Sequence, residues 1–227
     1  ITSKYFKRPV PESIIWSLTV ALSNHVTLLL PITEIYFQQN VITQVASIIL
    51  MDGVILLSVI AFFLELSTKK NVNLFTFFKN LFFNPFILSV IIGLLILLLN
   101  FNIDQTPIEY TLSRLAACVS PVGLFAIGII LSFYTKNIIN KLSVFISILK
   151  LIISPIILLL IGLLFFNSGL PAEIPGAFFV SVAPCGVTAI VLCSAYNVSP
   201  ENIIKAIFVS TIASIGTIFL AIRYLTL

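Results

Sequence analysis

The sequence predicts an all-α polytopic membrane protein with seven transmembrane helices. Three observations lead there. First, 59% of the 227 residues are apolar and 9% charged, against about 45–50% and about 25% in soluble domains. Second, the mean hydropathy is +1.19. Third, the apolar residues gather in long unbroken runs without period-2 alternation, which argues for helices rather than a membrane barrel. Twenty charges cannot coat a soluble globule of this size, so a soluble enzyme and a disordered tail are excluded. The excess of Lys+Arg over Asp+Glu is only +4, which excludes a nucleic-acid binder.

A spanning helix needs about 20 mostly apolar residues. Stretches 13–37, 41–66, 85–100, 111–133, 143–166, 176–196 and 202–223 qualify or nearly do. The 85–100 run is short. Before it, Phe75, Phe77, Phe78, Phe82 and Phe83 mix with Asn73, Lys79 and Asn80, a composition suited to an amphipathic helix lying in the interface. The first apolar run is too long for a signal-peptide core and lacks a small-residue cleavage site. A chain opening on Ile1 is read as a fragment preceded by further sequence.

Charge placement orients the spans. Lys4, Lys7, Arg8, Lys69, Lys70, Lys79, Lys136 and Lys141 fall on one side, in the tail and the 67–84 and 134–142 loops. The 101–110 and 167–175 loops carry Asp104, Glu109 and Glu173 and no cation; Arg114 and Arg223 sit just inside their helix ends. The positive-inside rule makes the first side cytoplasmic. Seven spans starting inside leave Leu227 outside, in a multi-pass protein of the cell inner (plasma) membrane.

Pro31, Pro121, Pro155 and Pro184 fall within spans. Each removes a backbone donor and crowds the carbonyl four residues back. In hydrocarbon the freed groups need partners, so such breaks face protein or a water-lined cavity. An ordinary proline kink is the plain reading of each. Two have more around them: Ser23-Asn24-His25-Val26-Thr27 precedes Pro31, and Ala183-Pro184-Cys185-Gly186-Val187-Thr188 surrounds the other. Discontinuous helices of this kind hold substrates and ions near the midplane of transporters.

His25, the sole histidine, suits a proton relay; a side chain that satisfies opened backbone groups is the plainer role. Asp52 and Lys150 lie inside spans at a cost of about 2.5–3.5 kcal/mol each. They are either a paired structural charge or part of a substrate route. Glu34 is placed near the exterior mouth, and Lys205 near enough to the cytoplasmic end to snorkel. Cys118, Cys185 and Cys193 lie in apolar runs with no zinc-site spacing and read as small packing residues. No phosphate-cradling glycine loop is present.

Ser23-Asn24…Pro31, with six residues between Asn and Pro, resembles the corresponding helix of the auxin efflux carrier (PIN-like) family. In the same order follow Asn84-Pro85 with Gly93, Ala116-Ala117…Pro121…Gly128, Lys150…Pro155, Ala183-Pro184 and Ser210-Thr211. The resemblance runs from about Ser13 to the C-terminus. Val26 and Leu29 stand where relatives carry glycine, and Thr188 where they often carry Asn; these departures bear on substrate more than on fold.

The resemblance implies ten helices in two inverted five-helix repeats (5+5), with two proline-broken helices crossing. Residues 13–66 would be the last two helices of the first repeat and part of its transport domain. Residues 67–84 would be a cytoplasmic loop with the interfacial segment, 85–133 scaffold-type helices of the second repeat, and 143–227 its transport-domain helices. Three helices would precede Ile1, and the 227 residues alone would not transport.

The function so implied is a secondary active transporter, a permease or efflux carrier, for small organic anions. Bacterial relatives move carboxylates such as malonate or malate, and plant relatives move auxin. Asn24, His25 and Pro31 from one break, with Pro184, Cys185, Gly186 and Thr188 from the other, are the candidate substrate-binding residues. Asp52 and Lys150 are candidates for charge or coupling. Expected partners are the anion, H+ or Na+, the lipid bilayer and a second copy in a homodimer. No catalytic residue, metal, cofactor or nucleic acid is expected. Two other classes stay open: a channel or non-transporting membrane sensor of the same fold, and an intramembrane enzyme, disfavoured by one histidine and no paired aspartates.

Overall fold

The computed structural model describes residues 9–68, 73–134, 138–165 and 174–226, and these are helical apart from turns and one antiparallel bridge. Lys4, Lys7, Arg8, Lys69, Lys70, Lys136, most of the 167–175 loop and Leu227 lie outside the described residues. In chain order the helices are α1 (Val10–Ala21), α2 (Leu30–Tyr36), α3 (Gln39–Met51), α4 (Leu57–Thr68), α5 (Leu74–Phe82) and α6 (Pro85–Leu98). There follow α7 (Pro107–Ser132), α8 (Lys141–Ile148), α9 (Ser154–Phe165), α10 (Pro175–Ser181), α11 (Thr188–Ala195) and α12 (Glu201–Thr226).

Three wide π turns join neighbours: His25–Leu29 before α2, Asp52–Leu56 between α3 and α4, and Leu149–Ile153 between α8 and α9. Two of them run directly into a proline-bearing first turn, Pro31 in α2 and Pro155 in α9. The wide turn supplies room for the pyrrolidine ring where a regular helix would clash. Pro121 stays inside the continuous α7, so it marks no break among the described residues. Pro184 stands in fully non-helical chain between α10 and α11.

Four stretches are long and apolar enough to cross a membrane: Gln39–Thr68, Pro107–Ser132, Lys141–Phe165 and Glu201–Leu225. A fifth is reached if Phe75–Phe82 and Pro85–Leu98, bent by 62°, count as one. These bounds agree with the runs read from hydropathy to within a few residues. The bend occurs at Asn84, whose side-chain oxygen accepts from Phe86 N–H at 2.9 Å and caps α6. The aromatic 73–83 stretch does form a helix of its own, capped by Asn73 accepting from Thr76 N–H at 3.3 Å. Phe77 is its buried anchor, in edge contact with Phe62, while Phe75, Phe78 and Phe82 are exposed.

Two buried clusters make the core. One gathers Ile15, Trp16 and Leu18 of α1 with Leu64, Ile146, Ala189, Cys193, Ile203 and Ile207. The other gathers Leu29, Val45, Phe179, Val180, Ala183, Ile218 and Ala221. Thus α1 shares a core with α11, and the chain after the first break shares one with α10. The division between the clusters falls at the two breaks themselves.

Elsewhere the surface is apolar. On α7, Ile108, Leu112, Leu115, Val122, Phe125 and Ile129 are all exposed, an arrangement water would penalise by about 25 cal/mol per Å² and lipid would not. Chain turns use local chemistry: Asn197 adopts φ 53° just past α11, and Val198 N–H returns to the Cys193 carbonyl at 2.9 Å, closing the helix end in the usual left-handed way. Asn140 and Ser143 form a reciprocal capping box at the start of α8.

Candidate functional site

The two breaks meet. Leu22, Ser23 and Asn24 leave the helix after α1, Leu22 extended, and Ala183 to Gly186 are non-helical after α10. Asn24 N–H donates to the Pro184 carbonyl at 2.9 Å, and Gly186 N–H donates to the Leu22 carbonyl at 2.7 Å. Ser23 and Cys185 are therefore bridged as in a two-residue antiparallel sheet. The physical logic is that of any backbone deprived of its helix. Buried N–H and C=O groups must pair, and here each break supplies the partners the other lacks. Gly186 permits the approach: a Cβ there would lie 2.8 Å from Leu22 Cγ and 2.9 Å from the Leu22 carbonyl oxygen.

Side chains complete the crossing. Ser23 Oγ donates to the Val180 carbonyl at 2.9 Å and accepts from Lys150 Nζ at 2.7 Å. Lys150 Nζ also reaches the Ala21 carbonyl at 3.4 Å, so a buried ammonium faces the C-terminal end of α1, where the helix dipole is negative. Cys185 N–H donates to Ser210 Oγ at 3.2 Å, and Thr217 Oγ1 donates to the Val182 carbonyl at 2.9 Å. The long α12 thereby holds the second break from behind.

Beside the crossing opens a cavity of about 510 Å³. Its mainly apolar wall carries Ser23 and Asn24 from the first break, His25 and Thr27 from the π turn after it, Ser58 from α4, Asn84 and Phe86 from the start of α6, and Thr188 from the start of α11. His25 Nε2 lies 3.0 Å from Asp52 Oδ2. Asn24 Oδ1 accepts from the Thr27 hydroxyl, and the Thr27 carbonyl accepts from Ser120 Oγ of α7 at 2.5 Å. Gly123, one turn along α7, makes room for the Thr27 methyl, which would lie 2.8 Å from a Cβ. By the geometry of a helix start, the Thr188 and Ala189 amides lack intrahelical acceptors and carry partial positive charge. Among the described residues no group of His, Cys, Asp and Glu could hold a metal ion.

The sequence-predicted residues divide accordingly. Asn24, His25 and Thr188 share the cavity wall. Pro184, Cys185 and Gly186 build the crossing behind it. Pro31 does not: the break falls at residues 22–24, and Pro31 lies a π turn later, inside α2. The physical reason is that the wide turn absorbs the ring, while the chain opens where Ser23 and Asn24 can pair with the opposite break. Asp52 and Lys150 make no direct ion pair with each other; Asp52 joins His25 and Lys150 joins Ser23. Lys205 is 4% exposed and reaches back one turn, toward the start of α12, to Glu201 at 2.7 Å. Cys185 and Cys193 are buried, as packing residues would be, but Cys118 faces outward from α7. Ser58, Phe86 and Ser120 were not foreseen. Gly53 was the available signal for one of them, since a Cβ there would come 2.0 Å from the Phe86 ring.

Several apolar spans, two broken helices that pair backbone to backbone, and a mainly apolar cavity at their crossing that carries a few polar side chains are features of a membrane transport protein. A family model described as membrane transport protein matches residues 1–222, and the chain belongs to that family, the auxin efflux carrier or PIN-like group. No curated protein matches the chain.

Proposed function

We propose that the protein is a secondary active transporter for small organic anions such as dicarboxylates or auxin-like acids, working by alternating access around the crossing. The observation that carries this reading is the backbone pairing of residues 22–24 with 184–186, beside a cavity of about 510 Å³. A crossing stitched by hydrogen bonds moves as one body. The cavity wall on its other side comes from α6, which has no buried residue of its own. Sliding of the α6–α7 pair past the crossing would open the cavity to one face of the membrane and then the other.

The anion preference follows from the wall. Asn24, Thr188, Ser58 and Asn84 offer hydrogen-bonding groups, and the α11 amides favour a carboxylate. Asp52 is spoken for by His25. The four continuous spans and the bent α5–α6 pair, with the two broken pairs counted as crossings, fit a seven-span segment of a ten-helix, inverted-repeat plan. The loop cations support cytoplasmic 67–84 and 134–142 loops and an exterior C-terminus, in the inner (plasma) membrane. A homodimer belongs to the same proposal.

Flux through sealed vesicles containing the complete natural protein tests the reading. Saturable malonate or indole-acid flux accelerated by unlabelled substrate on the far side is expected of a carrier. Linear, non-exchanging flux makes the protein a channel, and no flux with any anion makes it a sensor.

A further inference from the structure

Thr27 makes contacts that its place in the cavity wall does not require. Its hydroxyl donates to Asn24 Oδ1, and its carbonyl accepts from Ser120 Oγ of α7 at 2.5 Å. Pro31 explains why that carbonyl can turn to α7. A regular helix would bring it the amide of residue 31, and proline has no N–H to donate. A buried acceptor needs a donor, and Ser120 supplies one from another helix. The Thr27 methyl is held as well. A Cβ on Gly123 of α7 would lie 2.8 Å from it, so the methyl fills the space that glycine leaves. Methyl and hydroxyl share one Cβ at fixed angles, and seating the first fixes the direction of the second.

We propose that Thr27 and Ser120 are positioning residues that set the polarity of the Asn24 amide, so that its NH2 group rather than its oxygen meets the anion. The proposal rests on the anion-transport reading above. An amide side chain has an acceptor end and a donor end. The single proton of the Thr27 hydroxyl goes to Oδ1, which turns Nδ2 away from Thr27. That nitrogen has no partner among the described residues, and it is not closed off from the cavity that Asn24 lines. It is a free donor beside a space that takes a carboxylate. With the amide reversed, Oδ1 would set its lone pairs against those of the carboxylate, and the site would favour a donor or a cation instead.

Ser120 and Gly123 are not part of the cavity wall, so an effect of either on affinity passes through Thr27. The order of action runs from α7 inward. Ser120 fixes the Thr27 carbonyl, Gly123 seats the methyl, the hydroxyl orients Asn24, and Asn24 meets the anion. The wide turn at His25–Leu29 is what puts Thr27 within reach of α7 and of Asn24 together. Pro31 thereby acquires a part in the site without touching the cavity, as the residue whose missing amide leaves the Thr27 carbonyl to Ser120.

The test is the KM for malonate and, in parallel, for indole-3-acetate, measured as exchange flux in liposomes containing the complete protein. Thr27→Val keeps the size and the methyl and removes the hydroxyl. It should raise KM about threefold to tenfold, the effect of losing one hydrogen bond, with kcat and membrane abundance near wild type. Thr27→Ser, which keeps the hydroxyl, should recover most of that loss. Ser120→Ala and Gly123→Ala should each raise KM in the same direction. Combined with Asn24→Ala, Thr27→Val should add little to the loss of affinity, because the group it orients is gone. Where Thr27→Val does not reach the membrane, Ser120→Ala serves in the same double-mutant cycle. Wild-type KM in Thr27→Val or in Ser120→Ala overturns the proposal and leaves the transport reading standing. A loss that adds in full to that of Asn24→Ala also overturns it, since that is how a merely structural residue behaves. Wild-type protein that carries neither anion overturns the anion reading and this proposal with it.

Discussion

The amide of Gly186 donates to the carbonyl of Leu22 across a gap of 2.7 Å, and that bond exists only because residue 186 has no side chain. The position a Cβ would take is 2.9 Å from the same carbonyl oxygen, backbone that cannot step aside without opening the crossing. Gly186→Ala should therefore destabilise the folded protein by about 1–3 kcal/mol, the usual cost of overpacking. The readout is a lower melting temperature in detergent and reduced membrane abundance. Wild-type stability in the alanine variant would mean the crossing has slack that its geometry does not suggest.

Asn24 and Lys150 sit on opposite sides of Ser23 and should fail differently. Asn24 borders the cavity, so Asn24→Ala should weaken malonate affinity by one to two decades, about 1.5–3 kcal/mol for one hydrogen bond to a charged ligand. Its abundance should stay near wild type. Lys150→Met instead strips the donor from Ser23 Oγ and the Ala21 carbonyl and should cost about 1–3 kcal/mol of stability. Thermal unfolding and binding measured on both variants separate the two roles. Normal affinity in Asn24→Ala removes it from the binding site.

Gly53 faces the ring of Phe86, the first aromatic residue of α6, with no room for a methyl group. Gly53→Ala should push the ring into the cavity and cut transport at least tenfold. Phe86→Ala in the same chain should recover most of that loss. The double-mutant cycle should show a coupling of about 0.5–3 kcal/mol, as expected for residues in direct contact. Additive losses would mean that Gly53 and the Phe86 ring are not in direct contact.

The orientation predicted from charge can be read by labelling. With Cys118, Cys185 and Cys193 replaced by alanine, single cysteines at Lys70 and Asp104 should react with an impermeant maleimide from opposite faces of the membrane. Asp104 should react in intact cells and Lys70 only after the membrane is opened. Reaction of both in intact cells refutes the assignment of the loops.

Much of this protein is legible along the chain. Span position depends on the hydropathy of about 20 consecutive residues, a local quantity, and so the runs at 41–66, 111–133, 143–166 and 202–223 reappear as helices within a few residues. Family membership was equally visible, because Asn24, Pro155 and Ala183-Pro184 recur in order. Even the two breaks could be found, since Ser23-Asn24 and Pro184-Cys185-Gly186 are polar or helix-breaking within apolar surroundings.

What the chain alone could not decide is who meets whom. Proline marks where a helix is weak, but the place it opens depends on which backbone groups find partners across the bundle. That is why the first break lies at Leu22–Asn24 rather than at Pro31. The sequence marks Asp52 and Lys150 as charges inside spans without saying what each meets, and the π turns at Asp52–Leu56 and Leu149–Ile153 send one to His25 and the other to Ser23. Hydropathy is a sum over neighbours in sequence, whereas a hydrogen bond is a choice among neighbours in space. The sequence alone therefore determined the membrane class, the four continuous spans and the family, and tertiary packing determined the crossing, the cavity and the His25–Asp52 pair.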